Sequence, residues 1–458
     1  MVFLPRRLAS LLRVAPAGTI LPPATGNVSS TAGLIQNAGW LVLERGIRFG
    51  LVFVTSVVVL RYLGPAEAGR LGNALALAAI LAGLCDLGLD AIIRVEVINR
   101  PGEQGVILAT AAGLRLMLLP LAWAGYALFL ARESASLTNP GLLYGVGVTL
   151  AMPVVLTLDS WFQSQTQARY SVLAQTGGLV AGAALRLLGA ALGAPLAWFG
   201  WVAGLELMLS ALLLLRFYHA TTPMPAWRFY WPAALHLIGR AWPLALTNIA
   251  ILVYTRIDIV LLSWWRGEHE TGIYAAAVRL TEFGYILPMI LVNTFFPLLA
   301  RRFNECHDAF LHLLRRLLVV AAWAGVGTAL VFSVGAPLIV RTLYGPAYAP
   351  TANVLALAGW NAVFAGLGAL RAQWLVLHDL QRYGLYYVGM GAALNLTLNA
   401  FLIPGFGATG AAIASLTTQA FIVFIAPLFF APTRSSVALL LQSFLFVGWR
   451  RTAAASSP

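Results

Sequence analysis

The 458-residue chain has no lysine, only 16 acidic residues and two cysteines, and just 10% of it is charged. Each shortage excludes something. A soluble globular chain is about 25% charged and about 45–50% apolar. This one is 60% hydrophobic with a mean hydropathy of +0.83, which rules out both a soluble enzyme and a disordered chain. Cys85 lies in an apolar run and Cys306 in a basic loop, so there is no disulfide framework and no CxxC metal motif. There is no DxD motif, and the six histidines lack ligand spacing. The first 33 residues hold Arg6, Arg7, Arg13 and four prolines but no long apolar core, so they read as a basic tail rather than a cleaved signal peptide.

What is abundant is apolar sequence. A spanning helix needs about 20 mostly apolar residues. Twelve stretches qualify: 36–60, 71–92, 104–130, 141–162, 170–192, 196–215, 240–263, 274–300, 316–340, 352–376, 384–403 and 408–430. The expected fold is an all-α polytopic membrane protein of about 12 transmembrane helices. Residues 435–449 are apolar but short, and read as an interfacial or partial helix.

All 29 basic residues are arginines, and the net charge is +13. In a soluble protein a pI near 10.3 would suggest nucleic acid. Here the arginines sort by side of the membrane instead, seventeen in loops on the N-terminal side against five on the other, with seven inside the spans. The positive-inside rule then makes both termini cytoplasmic, and no nucleic-acid partner is expected. Arginine position carries this reading. The choice of arginine over lysine does not, because the wealth of Ala, Gly and Leu is what a biased genome would produce.

The longest internal polar connection, with Pro223, Pro225 and Pro232, divides the chain into two six-span halves. The expected organisation is a tail over 1–33, a lobe over 34–216, a cytoplasmic linker over 217–234, a second lobe over 235–431, and a tail over 432–458. The halves match at an offset of 203: Gly64, Glu67, Gly69 and Ala74 against Gly267, Glu270, Gly272 and Ala277. Each half has an even number of spans, so the two repeats run parallel, related by a pseudo-two-fold axis along the membrane normal.

The intramembrane charges are Arg45, Arg48, Arg115, Arg186, Arg256, Arg279 and Arg371, with Glu44, Asp86, Asp90, Asp159, Glu206, Asp258 and Glu282 inside spans or at their ends. A charge at mid-membrane costs on the order of 2.5–3.5 kcal/mol even on insertion scales, so these must face protein or a wet cavity. Surplus interior arginine suits an anionic ligand, and guanidinium matches phosphate geometry. Arg45 and Arg48 point to one side of the first span, a same-sign pair that points to a ligand. Arg256 lies deep in span seven, and Arg115 and Arg186 near mid-span. Glu44–Arg48 and Arg279–Glu282 have helical pair spacing and serve equally as packing ion pairs. Asp258, Glu282 and Glu206 are candidates for ion coupling or pairing. Asp86 and Asp90 read as helix-end partners of Arg94, and Arg371 as a snorkelling side chain. Asn395 and Asn399, four apart, favour helix packing over a cavity lining.

Three stretches resemble the polysaccharide-transporter, or O-antigen flippase, family of the multidrug/oligosaccharidyl-lipid/polysaccharide exporter superfamily. The first is Arg61-Tyr62-Leu63-Gly64-Pro65 with Ala68-Gly69 and Gly88. The second, the most specific, runs from Trp242-Pro243-Leu244 through Tyr254-Thr255-Arg256-Ile257-Asp258, Thr271-Gly272-Ile273-Tyr274-Ala275-Ala276 and Arg279-Leu280 to Phe296-Pro297. The third is Tyr344-Gly345, Tyr348, Asn395, Asn399, Ile403-Pro404 and Gly407-Ala408-Thr409-Gly410-Ala411-Ala412. The likeness covers roughly 34–430. It implies two lobes that open alternately and a polyprenyl-diphosphate-linked oligosaccharide as substrate, moved to the outer leaflet of a bacterial plasma membrane. It also implies cavity arginines at Arg45 or Arg48 and at Arg256. No cofactor is implied, though an Na⁺ or H⁺ gradient or the membrane potential could drive the cycle. A glycan polymerase and chain-length machinery are the implied neighbours. The open alternatives are a lipid II flippase, a drug or cation exporter, and an integral-membrane glycan polymerase. The last would need a catalytic constellation, whereas the outer loops are about ten residues or shorter.

Overall fold

A computed structural model describes residues 31–131, 139, 141–165, 167–221, 227–284 and 286–445. Residues 31–47 are helical and belong to a unit of their own, Met1–Ile47; Arg48–Pro458 forms one compact body. Among the described residues every regular element is a helix. In chain order they are α1 (Thr31–Asp86), α2 (Leu89–Asn99), α3 (Gln104–Ala131), α4 (Met152–Ser164), α5 (Ala168–Ala191), α6 (Leu196–Thr221), α7 (Trp231–Arg266), α8 (Glu268–Gly284), α9 (Ile286–Glu305), α10 (His307–Leu343), α11 (Thr351–Ala358), α12 (Asn361–Leu377), α13 (Arg382–Ala420) and α14 (Arg434–Phe444). Short π and 3-10 turns lead into α4 over Gly141–Ala151 and follow α13 over Phe421–Phe429.

Nine described stretches are long and apolar enough to cross a membrane. Two of them, Arg48–Asn99 and Arg382–Phe429, run to 52 and 48 residues, each twice the length of one passage at about 1.5 Å per residue. Each is interrupted at a glycine, Gly64 or Gly407, whose backbone leaves helical geometry. Adding α8–α9, the architecture agrees with about twelve passages. Helix α14, with 11 residues, is too short to span and packs on α10, a partial helix as expected.

The proline-bearing connection is shorter than expected. Helix α6 continues to Thr221 and α7 already begins at Trp231. Pro232 does not delay α7, because it occupies the first turn, where a missing N–H costs nothing. Helix α7 bridges two cores around Pro243. Ala234, Leu237 and Ala241 pack among α2, α3 and α4, whereas Ile259 to Leu262 pack in a core that contains parts of both halves.

The repeat at offset 203 has a physical counterpart. Gly64 (φ 70°, ψ 172°) and its equivalent Gly267 (φ 84°, ψ 179°) share a conformation open essentially to glycine alone. Five residues beyond each, the backbones cross. A Cβ on Gly69 would collide with the carbonyl of Glu268, and one on Gly272 with the carbonyl of Pro65. Pro65 and Glu268 are themselves 203 apart, so the two contacts are equivalent under exchange of the halves, as a local two-fold requires.

Candidate functional site

Beneath this crossing lies a cavity of about 360 Å³. Its wall uses the repeat. On α8, Ala275, Val278, Arg279 and Glu282 follow helical spacing along one face. On α1, Gly72, Leu75, Ala76 and Ala79 occupy the equivalent positions. The lining face is therefore common to both halves, but it is charged only in the second. Helices α5 and α6 add Arg186 and Glu206, and α7 adds Arg256.

The cavity brings together five of the nine site residues expected from sequence. Arg186 Nη2 lies 2.6 Å from Glu206 Oε2. Glu282 receives two guanidinium groups, Arg256 Nη2 at 3.2 Å on Oε1 and Arg279 Nη1 at 3.0 Å on Oε2. The Arg256 and Glu282 side chains are each 33% exposed, so the triad is wet. With three arginines against two glutamates, the wall carries a net positive charge. At the Gly64 end of the cavity polar contacts bridge the two halves. Arg70 Nε meets Glu268 Oε2 at 2.6 Å, the Tyr348 hydroxyl donates to the Leu60 carbonyl at 2.8 Å, and Arg61 donates to the Thr342 carbonyl at 3.3 Å. Tyr348 lies in the turn beyond α10, where burial pushes its phenol well above the ordinary range.

Of the other four, Arg48, Arg115 and Asp258 are not in the cavity wall. The side chains of Arg45 and of Glu44, the expected partner of Arg48, fall outside the described residues. Arg48 donates to Gln175 Oε1 at 3.4 Å, and Gln175 in turn donates to Asp159 at 2.9 Å; Gln175 carried no signal in the sequence.

Arg115 needs a correction. It is fully buried, 0% exposed, and is not part of the cavity wall. Its guanidinium donates to Asp86 Oδ1 at 2.6 Å, Asp90 Oδ1 at 2.7 Å, Thr157 Oγ1 at 2.8 Å and the Pro153 carbonyl at 2.7 Å. It also reaches the Asp86 carbonyl through Nε and Nη2, so every nitrogen is engaged and nothing is left for a ligand. The two aspartates accordingly pair with Arg115, while Arg94 turns to Gln163. Nor does Arg371 snorkel. It is buried, donates to the carbonyls of Ile422 and Val423, and stacks 5.1 Å from the Tyr387 ring.

Asp258 forms a separate buried polar cluster. Tyr274 donates to it at 2.7 Å, and Ser415 and Asn399 also donate to it. Asn399 donates to Asn395 at 3.0 Å, so the asparagine pair serves helix packing and completes this cluster. Among the described residues the partners of Asp258 are all neutral, and Asn399 Oδ1 is buried without a partner. No group of three or more metal-ligating side chains occurs among the described residues.

The fold, with a charged cavity walled by both halves, is that of membrane transporters and flippases rather than of an enzyme. An inward-facing multidrug resistance MATE family transporter of the MOP superfamily superposes with a TM-score of 0.67 at 13% identity, over 88% of this chain and 99% of that one. The lipid II flippase MurJ, in an inward closed conformation, gives 0.64 at 15% identity, over 87% and 91%. The chain belongs to the polysaccharide biosynthesis protein family, whose model matches residues 34–303. The succinoglycan biosynthesis transport protein ExoT of Rhizobium meliloti (strain 1021) is 25% identical over 288 residues, 59% of this chain and about half (54%) of that relative's length.

Proposed function

We propose that the protein is a flippase that moves a polyprenyl-diphosphate-linked oligosaccharide from the cytoplasmic to the outer leaflet of a bacterial plasma membrane by alternating access, for exopolysaccharide or other cell-surface polysaccharide synthesis. The observation that carries this reading is the convergence of Arg186, Arg256 and Arg279 on one wet cavity walled by both halves. Family membership and the succinoglycan transport relative support it. A cationic drug would meet a wall of its own sign, which argues against the exporter reading despite the shared fold.

In this reading both termini are cytoplasmic, the Gly64 end is outer, and the described conformation is closed to the outside. The diphosphate sits among the arginines, the sugar crosses the cavity, and the lipid tail stays in the bilayer. A diphosphate diester carries about two charges, so a potential negative inside favours its outward movement by about 4–5 kcal/mol per 100 mV. If the arginines neutralise it, the loaded step is nearly neutral and the empty, positive cavity is drawn back inward, with the same energy over the cycle. Where a cation drives the cycle, Asp258 is its proposed binding group, a buried carboxylate with neutral partners that could take up Na⁺ or H⁺. A glycan polymerase on the outer side would consume the product.

The test is reconstitution of the purified full chain with a fluorescent lipid-linked oligosaccharide, with and without an imposed potential. Outward movement that is lost in Arg256→Ala, with membrane insertion unchanged, is the expected result. Wild-type rates in that variant would overturn the assignment, and preferential movement of lipid II would favour the peptidoglycan alternative.

A further inference from the structure

Ion pairs inside this protein are of two kinds. Around Arg115 every guanidinium nitrogen is spent on protein and the group is sealed. In the cavity, Arg256 and Arg279 come from two helices and share one carboxylate, that of Glu282, while a third of each of the Arg256 and Glu282 side chains stays exposed. A guanidinium has five N–H donors. Among the described residues Glu282 is the only ion-pair partner of both arginines, so donors remain pointed at the cavity. Glu282 therefore occupies the place that an anionic ligand would take. It is also tethered, and a tethered group competes at a high effective concentration.

We propose that Glu282 makes the cavity selective for doubly over singly charged lipid phosphates. This rests on the flippase reading above. A single phosphodiester charge, as on phosphatidylglycerol, offers the two arginines no more than the carboxylate already does, and it would leave Glu282 unpaired beside it. A diphosphate brings two charges and more acceptor oxygens. It too displaces Glu282 from Arg256 and Arg279, but it gives each guanidinium a charge of its own, so two new pairs offset one unpaired carboxylate, and it still offers an oxygen to Arg186. The discrimination is needed because single-charge lipids of the bilayer vastly outnumber the carrier lipid. Rejection works by repulsion as well as by fit.

The experiment uses the full chain in proteoliposomes with two probes, fluorescent phosphatidylglycerol scored for leaflet exchange and a geranylgeranyl-diphosphate-linked sugar, a diphosphate diester, scored for binding. The wild type should leave phosphatidylglycerol in place. Glu282→Gln, nearly isosteric, should move it and should bind the diphosphate about tenfold more tightly, the worth of one charge-assisted bond. Glu282→Asp, which keeps the charge, should still reject phosphatidylglycerol and guards against a folding artefact. If the diphosphate binds and needs Arg256, but Glu282→Gln still rejects phosphatidylglycerol, the selectivity inference falls and the flippase reading stands. If the wild type binds no diphosphate yet Glu282→Gln admits phosphatidylglycerol, Glu282 is the selector and the substrate reading falls. Loss of diphosphate binding in Glu282→Gln to the level of Arg256→Ala overturns the inference.

Discussion

Gly72 faces Ala275, its own equivalent 203 residues further on, with 3.6 Å between the Ala275 Cβ and the position a Cβ on Gly72 would take. A residue that touches its own counterpart lies on the axis that relates the two halves. The backbone crossings at Gly69 and Gly272 flank it, so the contact between the halves at the Gly64 end is built on the symmetry axis from residues too small to hold the helices apart.

That geometry predicts a cross-link. In a background with Cys85→Ala and Cys306→Ser, the pair Gly72→Cys and Ala275→Cys has a Cβ separation inside the disulfide range of about 3.5–4.5 Å. Oxidation should join the two halves, visible as a band shift after cleavage of the 222–226 connection. It should stop transport, and a reductant should restore it. Unimpaired transport in the fully cross-linked protein would mean that this crossing never opens.

A side chain at the crossing should act in the opposite sense. Gly69→Val or Gly272→Val puts carbon atoms where the Glu268 or Pro65 carbonyl now lies, which prevents closure. A cysteine at Leu63, in the cavity wall, should then react with an impermeant thiol reagent from outside several-fold faster than in the glycine parent. Equal rates would remove the seal from these glycines.

Arg115 and Arg256 should separate in their effects. Removing Arg115 leaves Asp86 and Asp90 partly buried and unpaired, and breaking such a cluster costs about 3–5 kcal/mol. Arg115→Ala should therefore lower the detergent melting temperature markedly and reduce yield. Arg256→Ala, at a wet pair, should change the melting temperature little while abolishing transport. Thermal melts on the two variants decide the point.

Asp258→Asn should keep the cluster nearly intact in shape, since an amide oxygen can still accept from Tyr274 or Ser415. It removes the carboxylate that a cation would need. Transport should lose its dependence on an imposed Na⁺ or H⁺ gradient and retain its response to potential. A persisting gradient dependence would place coupling elsewhere.

Hydropathy, arginine asymmetry and the repeat at offset 203 are properties of local composition and spacing, so the sequence by itself determined the helical membrane architecture, the two halves and the presence of charges that need a partner. The i, i+3 pair Arg279–Glu282 was legible for the same reason. What each remaining charge meets was not legible. Arg115 finds Asp86 and Asp90, 29 and 25 residues away, Arg186 finds Glu206 across a turn, and Arg48 turns to Gln175, 127 residues on. These partners sit on other helices, and which faces of two helices meet is set by interhelical packing, which no local period encodes. Only the tertiary structure decided that Arg115 is sealed in the protein interior while Arg186, Arg256 and Arg279 share a cavity. The sum of charges is the same in either arrangement; exposure and spare hydrogen-bond donors distinguish a structural cation from one that can receive a ligand.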